Sequence, residues 1–570
     1  NGRKAWYGFT RVWSSSMPTS KLDRTVGFGI TDRPVYRPKQ DVNWKFWVRR
    51  TRYDAPDKCV YEGKPVKVRI YNPKREKVFE KVLTFDDMGG IDGKLTLPEE
   101  ATLGVWRIQA LGHGQTSFRV EEYKKPEFEV KVEAPSEPVQ LGETVTARVE
   151  AKYYFGAPVT KAKVKIKVLR TPHTVSWYPS DPWDWFYGPG YWWFQPDYTW
   201  MPGWGRWGCC RPSPWWFRRS SPQPEVVLEN EVPIGKDGTV EVKIDTTLAK
   251  LLHGNQDHRY SITAEVVDES RRTIVGSGQV MVARSPFKVF AWLNRGYIRS
   301  GEAFKAEFNA RTVSGKPVKG QAEVTLFQLS YDKNGAVTEA AVQTWKPELG
   351  EDGRLSVPVN AAEPGQYRIA CEVTDEKGRS ETGATVFLVV GPDFNGASFK
   401  FNDLEVVAEK KTYAPGDTLE LLVNTRRTGS TVLLFVKPQS GIYPKPRVLR
   451  LKGKSTKVAV PVAQADMPNF YVEALTISDG KVHTVAKEIV VPPAKRILDV
   501  EVLPSKTSYL PGEMGRIKVR LKGPDGEPFV GDLALTMYDR SVEYIAGGSN
   551  VRDIREAFWK WRRRHYPRTG

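Results

Sequence analysis

One short phrase that opens a strand recurs five times in this chain of 570 residues, at intervals the size of a domain. In each copy a turn of the Pro-Lys, Leu-Gly, Ser-Gly or Pro-Gly type precedes a run of alternating apolar and polar residues. Turn residues that preset φ, followed by hydrophobicity of period two, predict a half-buried β-strand. A fixed period predicts a tandem array of similar domains. The copies begin at Val35, Pro138, Gly296, Thr412 and Ser508.

The distance between copies predicts the size of each domain. The second turn residues are Lys39, Gly142, Gly301, Gly416 and Gly512, which gives intervals of 103, 159, 115 and 96 residues. The longest interval contains a segment of foreign composition, residues 172–222, and without its 51 residues that interval shortens to 108. Domains of about 100 residues made of short strands are typical of β-sandwiches.

Two further phrases recur within the same period. Gly-x-Pro precedes a strand at Gly63, Gly156, Gly315 and Gly526, and Asp-Gly opens strands at Asp92, Asp237 and Asp352. Long amphipathic helical patterns are nearly absent, which argues against a βαβ protein. The sequence therefore predicts an all-β fold, a tandem array of antiparallel β-sandwich domains.

The net charge of +19 suggests nucleic acid as a partner, but the distribution of the cations argues against it. Lys165 and Lys167 alternate with Val164, Ile166 and Val168, and the stretch from Arg516 onwards repeats the pattern. Cations at alternate positions lie on the outer face of a sheet, where they solvate it and discourage edge pairing. A nucleic-acid site needs a clustered patch with groups that read bases. We expect no nucleic-acid partner, and general attraction to acidic surfaces stays open.

The cysteines and histidines do not form a recognisable metal or catalytic motif. Cys59, Cys209, Cys210 and Cys371 lack metal-type spacing, and the six histidines are scattered singly. Gly-x-Ser-x-Gly, phosphate-loop and zinc patterns do not occur. We expect no catalytic residue, no metal and no cofactor, and hence no enzyme.

The ends of the sequence bear on localisation. No stretch approaches the ~20 apolar residues of a membrane span. The chain begins at Asn1 without an initiator Met, and residues 1–23 look like the end of a preceding segment. We therefore interpret the chain as a fragment whose targeting signal lay upstream.

The joint between the first two units carries a family resemblance. It reads FRVEEYKKPEFEVKV from Phe118 to Val132, and TDRPVYRPKQ precedes it from Thr31. A third phrase, DGEPFVGDLALTMYDRSVEYIAGG from Asp525, looks like the start of a bait-bearing domain. Together these phrases resemble the alpha-2-macroglobulin family in its bacterial branch. Lys39 departs from that family's pattern, which has Gly after the Pro.

The resemblance implies a fold and an activity. The fold would be a tandem array of seven-stranded macroglobulin domains, which are fibronectin-III- or immunoglobulin-like sandwiches. The activity would be broad-spectrum inhibition of endopeptidases: a protease cuts a flexible bait region, and the scaffold then cages it. None of the four cysteines begins the family's Cys-x-Glu-Gln thioester motif. No stretch of residues 1–570 resembles bait, so we expect the bait beyond Gly570, and export to the periplasm or cell surface.

The phrases divide the chain into four complete domains and a partial fifth. The predicted domains are 24–125, 126–285 with the insert 172–222, 286–392 and 393–494, followed by a partial domain at 495–570 that leads towards bait. A different function is also compatible with such an array, namely a structural or adhesive cell-surface protein without inhibitory activity.

The insert, residues 172–222, is rich in Trp, Pro and Gly, so neither helix nor strand is expected for it. Its rings could form an interaction surface for sugars, membrane headgroups or a partner protein. We favour a loop that packs on itself and on the third domain, because so much exposed Trp would promote aggregation. The candidate surface residues are Trp185, Tyr191, Trp192, Trp193, Trp204 and Trp207.

The stretch SNVRDIREAFWKWRRRHY near the end predicts a helix. Ser549 or Asn550 could cap it, Ile554, Phe558 and Trp561 would form one apolar stripe, and the arginines at 562–564 would complement the helix dipole. Such a helix could lie on an anionic membrane. We favour docking on its own domain.

Overall fold

The computed structural model describes residues 24–53, 59–122, 128–153, 156–174, 176–207, 212, 223–360, 363–438, 443–510, 512–523, 525–538, 542 and 548–565. Most of these residues are in strands, and the predicted all-β array of antiparallel sandwiches is confirmed.

Sandwich one contains seven strands and one additional strand of two residues. The strands are β1 (Arg24–Thr31), β2 (Val35–Tyr36), β3 (Asp41–Thr51), β4 (Pro65–Tyr71), β5 (Lys77–Thr84), β6 (Gly90–Thr96), β7 (Gly104–Ala110) and β8 (Gly114–Val120). They form a three-stranded sheet in the order β1-β3-β6 and a five-stranded sheet in the order β2-β8-β7-β4-β5.

Sandwich two repeats this arrangement and adds a short helix. Its elements are β9 (Phe128–Glu133), β10 (Val139–Gln140), β11 (Thr144–Tyr153), β12 (Ala162–His173), β13 (Glu225–Pro233), β14 (Thr239–Asp245), α2 (Thr247–His253), β15 (Asp257–Asp268) and β16 (Thr273–Ala283). The sheets are β14-β11-β9 and β10-β16-β15-β12-β13. The insert lies between β12 and β13 and contains one helical turn, α1 (Asp184–Tyr187).

Sandwich three has the same order of strands again. They are β17 (Lys288–Leu293), β18 (Ile298–Arg299), β19 (Ala303–Arg311), β20 (Gly320–Tyr331), β21 (Val337–Trp345), β22 (Arg354–Asn360), β23 (Gly365–Asp375) and β24 (Ser380–Val390). They form the sheets β17-β19-β22 and β18-β24-β23-β20-β21.

Sandwich four has a three-stranded and a four-stranded sheet, and the fifth unit contributes one strand pair among the described residues. The strands of sandwich four are β25 (Leu404–Ala408), β26 (Thr418–Thr425), β27 (Thr431–Val436), β28 (Arg447–Arg450), β29 (Ser455–Pro461), β30 (Asn469–Ser478) and β31 (Lys481–Val490). Its sheets are β25-β26-β29 and β28-β27-β30-β31. The fifth unit contains β32 (Asp499–Pro504), β33 (Ile517–Lys522) and α3 (Ile554–Trp559).

The repeated phrases occupy equivalent places in successive units. The anchor turn takes positive φ in all five copies, including 68° at Lys39, where the other units have glycine. A side chain in this left-handed region is strained, so the turn geometry imposes the recurring glycine. The Gly-x-Pro phrase forms the same isolated bridge in three units, between Lys152 and Pro158, Arg311 and Pro317, and Lys522 and Pro528.

The alternation predicted for the charged strands is present in β12, whereas in β33 it does not produce a buried face, because Ile517 is exposed. In β12 the side chains of Val164, Ile166 and Val168 are buried, whereas Lys165 is exposed and forms an ion pair with Glu229 on β13. Apolar residues at alternate positions therefore form the core of the sandwich, and the lysines cover its outer face.

Candidate functional site at the aromatic insert and the C-terminal segment

The first two residues of the insert continue β12 to His173, and residues 176–207 fold without strands around a network centred on Asp181. The Asp181 carboxylate accepts a hydrogen bond from Tyr191 Oη at 2.6 Å and lies 3.4 Å from Lys411 Nζ of sandwich four. Asp184 on α1 accepts a hydrogen bond from the Asp181 backbone N–H at 2.9 Å. Side chains therefore provide hydrogen-bond partners for backbone groups in a segment whose Pro and Gly residues prevent regular secondary structure.

One group of insert rings packs into the core of sandwich three. Trp192, Trp193 and Phe194 are 2–3% exposed and belong to the same buried cluster as the strands of that sandwich. The ring of Trp177 lies 5.3 Å from Phe290 and 5.4 Å from Trp292, centroid to centroid. This segment of domain two is thus part of the core of its neighbour.

A second group packs against sandwich four. Phe186 and Tyr187 are buried in its core cluster, and Tyr187 Oη donates a hydrogen bond of 2.7 Å to the Pro468 carbonyl. Lys487 Nζ donates to the Trp193 carbonyl at 2.9 Å, and Lys411 Nζ lies 3.9 Å from the ring centroid of Trp192. The insert therefore fills the junction between sandwiches three and four.

A buried carboxylic acid lies beside the next turn of the insert. Glu405 on β25 is 2% exposed, accepts hydrogen bonds from the Asn402 backbone N–H and Asn424 Nδ2, and lies 3.4 Å from Tyr198 Oη. Burial raises the pKa of Glu405 to about 7, because desolvation disfavours the charged form more than these donors favour it. The contact between insert and sandwich four thus includes a group that titrates near neutral pH.

The six candidate surface residues divide between buried and partly exposed positions. Trp192, Trp193 and Trp204 are buried, so their rings are not accessible to a ligand in this structure, because the insert packs between two sandwiches. Trp185, Tyr191 and Trp207 are half-buried. The Arg555 guanidinium lies 4.7 Å from the ring of Trp185, and that of Arg368 lies 5.8 Å from Trp207. The six residues do not form one continuous face.

The helix predicted near the end of the chain is shorter than expected. α3 covers six residues, and its cap is Asp553, which accepts a hydrogen bond of 2.8 Å from the Arg555 backbone N–H, so the expected caps Ser549 and Asn550 were wrong. The arginines at 562–564 follow the helix instead of lying in its last turn. The chain leaves the helix because Arg563 and its neighbours make buried contacts elsewhere.

The C-terminal segment, residues 548–565, docks largely on sandwiches one and four, whereas the sequence had predicted docking on its own unit. From that unit, Arg496 lies 5.2 Å from the ring of Trp559, and Ala534 packs against the cluster that contains Phe558. The ring of Phe558 lies 6.2 Å from Phe28 of sandwich one. Tyr53, at the end of that sandwich, contacts the rings of Trp559 and Trp561 and donates a hydrogen bond of 2.8 Å to the Trp561 carbonyl. Aromatic contacts therefore hold the first half of the segment.

The second half of the segment docks through charge and hydrogen bonds. The guanidinium of Arg563 donates to four main-chain carbonyls of sandwich four at 2.6 to 3.1 Å, namely those of Ala465, Asp466, Met467 and Asn469. The Asn469 side chain in turn pairs with the backbone N–H and C=O of Arg563, at 2.8 and 3.0 Å. Arg563 is thus held by side chain and main chain together.

Two acidic side chains of sandwich four lie beside the end of the segment. His565 Nε2 lies 2.6 Å from Glu473 Oε2, and both side chains are fully buried. Arg562 lies 3.7 Å from Glu488 and donates a hydrogen bond of 2.7 Å to the Tyr187 carbonyl of the insert. Burial raises the pKa of Glu488 and lowers that of Arg562, and their mutual attraction opposes both shifts. The segment therefore joins sandwiches one and four to the insert.

Sequence reasoning missed these acids, although one signal was present. Glu473 interrupts the apolar run NFYVEALTI, at a position in β30 where an uncharged residue is expected. A charge in such a place requires a partner. Only the fold identifies that partner as a residue 92 positions away.

The remaining predictions concern absent features. Among the described residues, no cluster of three or more His, Cys, Asp or Glu could hold a metal ion, and no helix has the length and apolarity of a membrane span. Cys59 and Cys371 are free thiols, whereas Cys209 and Cys210 lie outside the described residues.

Three family models match the chain in succession. The MG2 domain matches residues 26–130, the macroglobulin domain MG3 matches 122–181, and the alpha-2-macroglobulin bait region domain matches 404–545. The last match begins in sandwich four, well before the phrase at Asp525 that carried the resemblance in the sequence.

Similar proteins span nearly the whole chain. An alpha-2-macroglobulin homolog of Nostoc sp. is 23% identical over 95% of this chain and 28% of its own length. Alpha-2-macroglobulin of Thermotoga maritima is 23% identical over 92% of this chain and 29% of its own length. The native form of E. coli alpha-2-macroglobulin aligns with a TM-score of 0.43 and 14% identity over 95% of this chain and 34% of that chain.

The chain spans less than a third of the length of these two curated relatives. Its matches nevertheless follow one another in the order MG2, MG3 and bait region domain, on an array of β-sandwiches. The chain belongs to the alpha-2-macroglobulin family.

Proposed function

We propose that this chain is the scaffold part of a broad-spectrum endopeptidase inhibitor, which traps a protease after the protease cuts a bait segment. The observation that carries the proposal is the match of residues 404–545 to the bait region domain, downstream of the MG2 and MG3 matches. In such an inhibitor the chain acts as the wall of the cage and contributes no catalytic group.

The contacts of the described residues fit a scaffold that must respond to a cut. Rigid sandwiches resist proteolysis, whereas an extended exposed segment can enter a protease cleft. The insert and the C-terminal segment both contact sandwich four, which lies within the bait-domain match. A conformational change in that domain can therefore reach the other sandwiches through two sets of direct contacts, those of the insert and those of the C-terminal segment.

The partners and location follow from the same proposal. The partners are endopeptidases, and the protein works outside the cytoplasm, in the periplasm or at the cell surface, where such enzymes are met.

The test is an inhibition assay on the full-length protein. The protein is mixed with trypsin, the first cut is mapped by mass spectrometry, and residual activity is followed on casein and on a small amide substrate. The proposal predicts loss of activity on casein with activity on the small substrate kept, because a caged protease admits only small molecules. Trypsin with a blocked active-site serine is the control, and it should leave the inhibitor uncut.

The same assay can contradict the proposal. If cuts scatter over the linkers between sandwiches and trypsin keeps its full activity on casein, the chain is better explained as a structural or adhesive array.

A further inference from the structure

Residues 554–565, named the strap here, contact three parts of the chain that are distant in sequence. Phe558 packs on Phe28 of sandwich one, Arg562 donates to the Tyr187 carbonyl of the insert, and Arg563 binds the carbonyls of sandwich four. The strap has twelve residues and would be about 40 Å long if fully extended, so one short segment contacts all three parts. Its removal would expose all three docking faces together.

Some contacts between sandwiches one and four bypass the strap. Tyr53 belongs to the buried cluster of sandwich four, and its carbonyl accepts a hydrogen bond of 2.9 Å from Gln464 Nε2. Tyr53 itself is 6% exposed because the rings of Trp559 and Trp561 cover it. The strap therefore provides much of the packing between these two sandwiches.

The docking face on sandwich four has the character of a binding groove for a basic extended segment. Asn469 pairs with both backbone groups of Arg563, and Tyr471 Oη donates to the same carbonyl at 3.1 Å. Glu473 receives His565, and Glu488 lies beside Arg562. Main-chain pairing together with side-chain pockets is how proteins bind extended peptides.

This interface differs from a hydrophobic core in one respect. Its Arg and Glu groups regain full hydration when the strap leaves, which offsets part of the lost contacts. The main core cluster of sandwich one contains no strap residue, whereas Trp559 and Trp561 pack against the core of sandwich four and Phe558 is buried with Phe28 of sandwich one. No strap residue belongs to a described sheet. Release of the strap is thus a subglobal opening that leaves the β-sheets paired.

We infer that the strap is a releasable latch: it docks and leaves as one cooperative unit, and while docked it holds sandwich one, sandwich four and the insert in one arrangement. Its ligand-like half is the Arg-Arg-Arg-His stretch, and the groove of sandwich four is its receptor. The latch is inferred from contacts of the described residues alone. Only a role of the latch in protease trapping rests on the proposed function.

Hydrogen exchange on the full-length protein, read by mass spectrometry, tests cooperativity. Phe558→Ala removes the ring that packs on Phe28 of sandwich one, more than one helical turn away from the groove of sandwich four, and keeps the contacts of Tyr53 with Trp559 and Trp561. The inference predicts that exchange rises about tenfold or more in residues 561–565 as well as in α3, and in the groove around Asn469. Lys560→Ala is the matched control, since Lys560 is in the same segment and pairs only with Glu556 in an exposed ion pair.

A conservative change at the other end guards against a variant that fails to fold. Glu473→Gln keeps the shape of the side chain that pairs with His565 but replaces one carboxyl oxygen by an amide nitrogen, and it should raise exchange at α3 as well. The inference is overturned if Phe558→Ala loosens α3 alone, or if either variant raises exchange equally in β11 and β19, far from the strap. This readout uses no protease, so its failure and the failure of the trapping assay are distinguishable.

Discussion

The insert joins sandwiches three and four, the strap joins sandwiches one and four, and the two differ in chemistry: the insert docks mainly through aromatic rings, whereas the second half of the strap docks through charged and polar groups. The insert buries aromatic rings: Trp192 and Trp193 are 2–3% exposed, and no hydrogen-bond partner for their indole nitrogens occurs among the described residues. The strap buries Arg562 and His565 beside carboxylates and places the half-buried Arg563 against main-chain carbonyls. Apolar docking gains free energy with the area removed from water, whereas buried charges regain hydration on release.

This difference indicates different lifetimes for the two contacts. The insert is continuous with the cores of sandwiches three and four, so its release would open cavities in both. The strap belongs to no described sheet, so it can leave without unpairing a strand, and its departure would uncover Phe558, Trp559 and Trp561. We therefore infer that the insert is a permanent brace and that the strap is the movable contact.

The largest expected effect tests whether the insert is a brace. Trp193→Ala should destabilise the junction of sandwiches three and four by about 4 kcal/mol, because it removes a buried aromatic ring and leaves a cavity. The measurement is the shift of the urea transition that reports on these two sandwiches. The half-buried Trp207 is the matched control, and Trp207→Ala should cost less than half as much. Equal effects would contradict the brace.

The second effect is a dependence on pH at the insert. The pKa of Glu405 is about 7 in the folded chain, whereas an ordinary glutamate, as in the unfolded chain, has a pKa of 4.5. Between these two pH values the folded chain therefore keeps a proton that the unfolded chain releases. Stability from this group is full below pH 4.5 and is lost as pH rises through 7, by about 3 kcal/mol in all. Thermal melting of the wild type should fall over this range, whereas Glu405→Gln should remove most of the slope. Parallel pH profiles of the two proteins would contradict burial of the acid at this site.

The third effect concerns a single hydrogen bond across the junction. Tyr187→Phe removes one of two donors to the Pro468 carbonyl, which keeps the hydrogen bond from the Val491 backbone N–H, so the cost should be about 1 kcal/mol. Tyr191→Phe serves as a control, since Tyr191 Oη bonds to Asp181 within the insert. Hydrogen exchange around Pro468 should rise in the first variant and not in the second. A rise in both would assign the effect to the fold of the insert instead of to docking.

The smallest effect is expected on the exposed side of the strap. Lys560→Ala removes an ion pair with Glu556 in which both side chains are more than 40% exposed, and it should change stability by about 0.3 kcal/mol. Thermal melting of the full-length protein measures it. A loss above 1 kcal/mol would mean that the outer face of the strap also docks, which would weaken the contrast between its two faces.

The repeat could be predicted from sequence because local chemistry specifies it. A turn with positive φ at Gly142, Gly301, Gly416 and Gly512 is followed by strict alternation, and both signals are local. The docking of the insert and the strap could not be predicted in the same way. Rings separated by Pro and Gly have no periodicity, and the partners of Arg563 and His565 lie more than 90 residues away. Only the folded sandwiches provide the groove that ends α3 early.

The most direct test of the account is native-state hydrogen exchange on the unmodified full-length protein, in increasing urea below the main unfolding transition. The account predicts that amides of residues 561–565 and of the groove near Asn469 open together first, while those near Trp192 and Trp193 stay protected until sandwiches three and four unfold. Opening of the insert before the strap, or of both in one step, would contradict the division into a permanent brace and a movable latch.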